Sequence, residues 1–196
     1  MFVKSIAPYF KASAVMPDNS INDSFSLNEY AETFKVVLFF YPLDFTFVCP
    51  TEIVEFDRNI SEFEKRDVKV VGVSVDSVYS HLAWKNTPHE AGGIGNIQYP
   101  LVSDLSKSIS RSYGVIFEGE IALRGTFIID KNSIIRHMHV NDLGIGRNIS
   151  EIIRLIDAID LNDKYGEVCP ATWNKDKAGM KPNHAGVVKY FSDNNA

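Results

Sequence analysis

The sequence predicts an α/β fold: a mixed central sheet flanked by helices, with an arm at the C-terminus. Three observations predict it. Residues 36–41, from Val36 to Tyr41, form a short, wholly apolar run, the pattern of a strand covered on both faces. An apolar stripe at helical spacing follows at Ile53, Phe56, Ile60 and Phe63, and then a valine-rich run from Lys69 to Val75. Strand, helix and strand in that order make a βαβ unit and hence parallel strands. Further on, Thr126–Ile129 and Ile134–Val140 flank Asp130-Lys131-Asn132-Ser133 and predict a β-hairpin, so one edge of the sheet is antiparallel.

The remaining elements follow from their stop signals. Pro42 ends the first strand, and a loop runs from Pro42 to Cys49. Pro50 suits a first helical turn, Glu52 and Glu55 suit its positive end, and Lys65 and Arg66 close the helix. Tyr79–Asn86 predicts a short helix stopped before Pro88, and Gly92, Gly93 and Gly95 predict a flexible loop. Asp104 is placed to cap a helix ending at Gly114. Ile149, Ile152, Ile153, Ile156 and Ile159 mark the clearest amphipathic helix, with Asn148 and Glu151 spaced like a capping box. After Gly166 the composition turns polar and proline- and glycine-rich until Val187, Val188, Tyr190 and Phe191. The expected organisation is a domain over 1–165 and an arm over 166–196.

With 196 residues, the chain matches a single domain, since domains run to roughly 100–200 residues. Hydrophobic residues make up 45% and charged residues 23%, which excludes wholesale disorder. Two cysteines exclude a disulfide scaffold. A formal charge of −5, with neither sign in a block, predicts no nucleic-acid partner and no anionic membrane surface. Lys4, Pro8 and Lys11 interrupt the first fifteen residues, which fits no signal peptide, and a cytoplasmic setting is expected. In such a compartment, paired cysteines are more often catalytic than structural.

Cys49 stands between the apolar strand and a helix start, where the positive helix end faces a sulfur. The thiolate is the nucleophilic form, and a thiol in water is only about 3% ionised at neutral pH. The helix end supplies about 0.3–1 kcal/mol. A guanidinium about 4 Å away supplies about 4 kcal/mol at an effective dielectric near 20, so an arginine is required. Arg124 and Arg147 are the candidates, and spacing does not choose between them. A dithiol reductase is disfavoured because Cys49-Pro50-Thr51-Glu52 has glutamate where a Cys-x-x-Cys motif has its second cysteine. A redox-active Cys49 therefore needs its resolving thiol from elsewhere, and Cys169, in the matching triplet Val168-Cys169-Pro170, is the other cysteine.

The segment from Phe39 to Ile53 resembles the active-site segment of the peroxiredoxins of the typical two-cysteine class, with Pro42, Thr46 and Cys49 in a Pro-x-x-x-Thr-x-x-Cys pattern. Val73–Asp76 with His81-Leu82-Ala83-Trp84, Gly92–Gly95, Pro100–Asp104, Leu123–Asp130, Val140–Leu143 and Gly166–Pro170 resemble family segments in the same order. The resemblance implies a thioredoxin-like fold and a thiol peroxidase without a cofactor. It makes Cys49 the peroxidatic cysteine, which attacks a peroxide oxygen and becomes a sulfenic acid. Arg124 becomes the arginine that stabilises thiolate and peroxide. Thr46 aligns the peroxide, Pro42 shields the sulfur, and Glu52 and Arg147 support the pocket.

Cys169 becomes the resolving cysteine, forming a disulfide with Cys49 of the other subunit in a homodimer. Thioredoxin is the implied reductant and a decamer of five dimers the implied assembly. Gly92, Gly93 and Gly95 with Tyr190 and Phe191 resemble elements that slow disulfide formation and confer sensitivity to overoxidation. The sequence departs from the family at His89-Glu90-Ala91, usually more basic, and at Gly144, where proline is usual. His137 and His139 share a strand face, but no third ligand is evident, and a solvated face is favoured over a metal pair. A chaperone role remains an alternative, as an added function.

Overall fold

The computed structural model describes residues 2–193. The chain runs β1 (Lys11–Val15), β2 (Ile21–Ser26), α1 (Leu27–Ala31), β3 (Lys35–Phe40), α2 (Cys49–Arg58), α3 (Ile60–Glu64), β4 (Val68–Ser74) and α4 (Val78–Lys85). It continues through β5 (Leu101–Ser103), α5 (Ser108–Ser112), β6 (Ile116–Phe117), β7 (Ile121–Ala122), β8 (Arg124–Ile129), β9 (Ile135–Asn141), α6 (Ile149–Tyr165) and α7 (His184–Asp193). Two compact units emerge, one ending at Ile149 and one beginning at Ser150.

Seven strands form one mixed sheet in the order β2-β1-β5-β4-β3-β8-β9. The predicted βαβ unit is present, with β3 parallel to β4, and β4 is parallel to β5. The predicted hairpin is β8–β9. A second antiparallel edge, β1–β2 beside β5, was not anticipated from the sequence. β3 is buried along its whole length, as its apolar run requires.

One face of the sheet carries Phe10, Phe25, Leu38, Phe40, Val71, Val73, Tyr113 and Phe127 in a single cluster. On the other face the Phe39 ring stacks on Phe56 of α2, with centroids 4.3 Å apart. Burying such a ring contributes about 1.5–3 kcal/mol. Gly72 of β4 makes room for it, since a Cβ there would sit 2.9 Å from the Phe39 ring.

One local expectation needs correction. The stripe from Ile53 to Phe63 is not one helix. Asn59 leaves helical geometry at φ −99° and ψ 9°, and its side-chain amide donates to the Glu55 carbonyl, so the chain re-enters as α3. Asp104 caps α5 as expected, though from four residues before its start: its carboxylate accepts from the backbone N–H groups of Ile109 and Ser110, while Lys107, at φ 60°, holds the position next to the helix. Among the described residues, no helix is long and apolar enough to cross a membrane.

Candidate active site

Antiparallel pairing brings distant residues to one end of the sheet. Cys49 follows the C-terminal end of β3, and β8 runs antiparallel to β3, with Phe39 opposite Thr126. Arg124, first in β8, therefore lies at the end where α2 begins. β9 ends at the same place, with Asn141 directly opposite Arg124, and the chain from 142 to 147 returns across it.

Cys49 is the first residue of α2 and is fully buried, with Pro50 behind it in the first turn. Its sulfur accepts a hydrogen bond from Arg124 Nη1 at 3.3 Å. The same nitrogen donates to Glu52 Oε2 at 2.7 Å. Arg124 Nε and Nη2 both donate to the Leu143 carbonyl, at 2.8 and 2.6 Å.

Arg147 holds Glu52 from the other side. Its backbone N–H and Nε donate to Oε1 at 2.9 and 2.8 Å, and Nη2 donates to Oε2 at 2.8 Å. Arg147 Nη1 donates to the Phe40 and Gly125 carbonyls, and its guanidinium lies 4.9 Å from the centre of the Phe39 ring. Two buried guanidiniums thus face one carboxylate. One positive charge is left over, and a thiolate at Cys49 would balance it.

Both arginines that the spacing left open are in this cluster. Only Arg124 touches the sulfur, and Arg147 acts on Glu52. Pro42 is buried. Thr46 lies in the loop before Cys49, and its hydroxyl donates to the Leu43 carbonyl at 2.9 Å. That bond uses its single proton, so toward any further molecule it acts as an acceptor.

The loop rests on a buried polar network that sequence reasoning did not find. Tyr41 donates to Asp44 Oδ1 at 2.8 Å, and Asp44 Oδ2 lies 2.8 Å from His81 Nδ1. Ser80 donates to the same oxygen, and the Asp44 N–H donates to Asp76. Burial and the neighbouring Asp44 carboxylate raise Asp76 above the ordinary carboxylate range. An aspartate inside the aromatic run Tyr41–Phe47 was the available signal.

Gly92 and Gly95 have φ of 80° and 63°, so both sit in the left-handed region that favours glycine. At Gly93 a Cβ would collide with the Thr87 backbone. Trp84 Nε1 donates to the Gly92 carbonyl at 2.9 Å. His137 and His139 lie together, with ring centroids 5.7 Å apart.

The second unit holds Cys169, Tyr190 and Phe191. Cys169 is partly buried, with its thiol 3.6 Å from the Ala158 carbonyl of α6. Arg154, one helical turn earlier, donates to the Trp173 carbonyl at 2.8 Å. Burial pushes the Cys169 thiol up, and the Arg154 charge opposes that shift. Tyr190 and Phe191 are neighbours on α7, in edge-to-face contact with centroids 5.7 Å apart.

Residues 3–138 match the model of the AhpC/TSA family, and residues 158–193 match that of the C-terminal domain of 1-Cys peroxiredoxin. Alkyl hydroperoxide reductase C of Helicobacter pylori is 50% identical over 194 residues, covering 99% of this chain and 98% of the relative. The mitochondrial thioredoxin-dependent peroxide reductase of Homo sapiens is 52% identical over 186 residues, covering 94% of this chain and 72% of the relative. The crystal structure of reduced Plasmodium vivax 2-Cys peroxiredoxin is similar with a TM-score of 0.95 at 50% identity, covering 98% of this chain and 99% of that one.

Proposed function

The chain belongs to the AhpC/TSA family and is a peroxiredoxin of thioredoxin-like fold, and on that premise we propose that Cys49 reduces hydroperoxides with the help of Arg124. The observation that carries the reading is the Arg124 Nη1 donor 3.3 Å from the buried Cys49 sulfur at the start of α2.

The first step consumes a thiolate, a hydroperoxide and a proton. The sulfur attacks the terminal peroxide oxygen, the O–O bond breaks, and an alcohol or water leaves with the proton. Cys49 becomes a sulfenic acid, oxidised by two electrons. The Arg124 bonds to Cys49, Glu52 and Leu143 use four of its five N–H groups. The fifth, on Nη2, is available to the peroxide, where it favours the negative charge that develops on the leaving oxygen. Thr46, its proton committed to Leu43, accepts from the hydroperoxide O–H and so orients the O–O bond.

In the second step the Cys169 thiol of a partner subunit condenses with the sulfenic acid, forming a disulfide and releasing water. A dithiol then reduces the disulfide. Thioredoxin is the reductant that this reading assigns, supported by the thioredoxin-dependent name of a relative 52% identical. A homodimer, a decamer and a cytoplasmic setting complete the reading. So does overoxidation sensitivity arising from Gly92, Gly93 and Gly95 together with Tyr190 and Phe191. The left-handed Gly92 and Gly95 support the loop's part in it.

The test is rapid mixing of reduced protein with hydrogen peroxide, followed by mass spectrometry. Cys49→Ser should lose turnover. Cys169→Ser should consume one equivalent of peroxide and stop at the Cys49 sulfenic acid. Oxidised wild type should run as a reductant-sensitive dimer on a gel. Turnover surviving in Cys49→Ser would overturn the assignment.

A further inference from the structure

The guanidinium that faces Cys49 is aimed from a turn with no charged contact to the sulfur. Leu143 presents its carbonyl to both Nε and Nη2 of Arg124. That edge-on grip fixes the plane of the guanidinium and leaves Nη1 for the sulfur and for Glu52.

Leu143 belongs to a tight turn in which the Ile145 N–H donates to the Asp142 carbonyl at 3.0 Å, while the Leu143 N–H donates to Asp142 Oδ1 at 2.7 Å. Gly144 is the third residue of this turn. Its φ lies outside the left-handed region and a Cβ there would meet open space, so nothing in the backbone demands glycine. A glycine that the conformation does not need loosens the turn.

Asn141 closes it. As the last residue of β9 it is the cross-strand partner of Arg124, and its side-chain Nδ2 donates across the base of the turn to the Ile145 and Gly146 carbonyls, both at 3.2 Å. The following residue, Arg147, sends its backbone N–H to Glu52. One amide therefore ties together the turn that grips Arg124 and the chain that grips Glu52.

We propose that Asn141 is a positioning residue for peroxide reduction, closing the 142–145 turn so that the Leu143 carbonyl keeps Arg124 aimed at the Cys49 sulfur. The inference rests on the assignment of Cys49 as the peroxide-reducing cysteine, and its action is indirect.

The test compares wild type, Asn141→Asp, Asn141→Ser and Cys49→Ser in stopped-flow reaction with hydrogen peroxide from pH 5 to 9. Asn141→Asp keeps the shape but turns the donor into an acceptor facing two carbonyls. Asn141→Ser is too short to span the turn and adds no charge, which covers the case in which the aspartate variant does not fold. Each should lose about tenfold in second-order rate at pH 7, the scale expected when a catalytic group is misplaced by a fraction of an ångström. In each, the rise of rate with pH should also move to higher pH, because the cation beside the sulfur is less well placed.

Folded Asn141 variants with wild-type rate and wild-type pH profile would overturn the proposal. So would a slower rate with an unmoved profile, which marks a purely structural role. Turnover in Cys49→Ser would instead overturn the assignment of Cys49, whatever the Asn141 variants do.

Discussion

Three N–H groups of Arg147, from its backbone, Nε and Nη2, all end on the Glu52 carboxylate. Both side chains are buried, at 0% and 2% exposure. Removing Glu52 leaves two buried guanidiniums without a counter-charge, which costs about 3–5 kcal/mol, whereas removing Arg147 leaves Glu52 paired with Arg124 Nη1 at 2.7 Å. Glu52→Gln should lower stability by about that amount in urea unfolding, and Arg147→Met by clearly less, because Glu52 keeps Arg124. The double variant should lose clearly less than the two separate losses added together, because Arg147→Met removes one of the two charges that Glu52→Gln strands. Additive losses would show that the pair does not act as a unit.

The resolving step should depend on pH through Cys169. Burial raises its thiol above the ordinary cysteine range. Below that raised value the thiolate fraction grows about tenfold per pH unit, so disulfide formation after a peroxide pulse should still accelerate above pH 9. The Arg154 charge pulls the other way, favouring thiolate. Arg154→Met should therefore shift the profile of disulfide formation to higher pH and leave the profile of the first, Cys49-dependent step where it was. Stopped-flow fluorescence resolves the two steps.

Lys85 makes a prediction about alkaline stability. Its side chain is buried and its Nζ donates to the Met16 and Pro17 carbonyls, at 2.7 and 3.3 Å. Burial pushes its ammonium down to about 8 from 10.5, against the opposing charges of Asp18 and Asp57. Between those two values the folded protein has released a proton that the unfolded chain still holds. Stability contributed by this site therefore rises with pH across the window. The buried Tyr41 and Tyr99, both held well above 10, act oppositely above pH 10, because only the unfolded chain ionises them there. The measurement is thus the difference between wild type and Lys85→Met. Relative to the variant, wild type should gain stability from pH 8 to 10, and a flat difference would contradict the burial of a charged amine.

Much of this protein is legible along the chain. The uniformly apolar Val36–Tyr41, the helical stripe after Pro50 and the Thr126–Val140 hairpin are local signals; the strand and the hairpin appear where their patterns stand, and the stripe appears as helix interrupted at Asn59. The stretch from Pro42 to Glu52 carries four of the candidate site residues within eleven positions, which is why the chemistry could be placed before the fold. Asn59 shows where local reading fails. A periodic stripe does not record that one side-chain amide competes with the helix's own hydrogen bonds. The β1–β2 edge was missed because Ile21–Ser26 has four exposed residues and little apolar alternation to notice.

By itself the sequence determined the residue types of the site: a cysteine at a helix start, an acid one turn later, two arginines far downstream, and a second cysteine in a polar arm. Composition and local periodicity suffice for that, since they act through residues near in the chain. Which arginine meets the sulfur was decided only in three dimensions. Antiparallel pairing of β8 with β3 carries Arg124 to the start of α2, and the buried Phe39 ring and the Phe40 and Gly125 carbonyls hold Arg147 behind Glu52. The turn at Leu143, whose backbone aims Arg124, lay beyond sequence reasoning for the same reason. A carbonyl oxygen is common to every residue, and only tertiary structure decides which one a guanidinium finds.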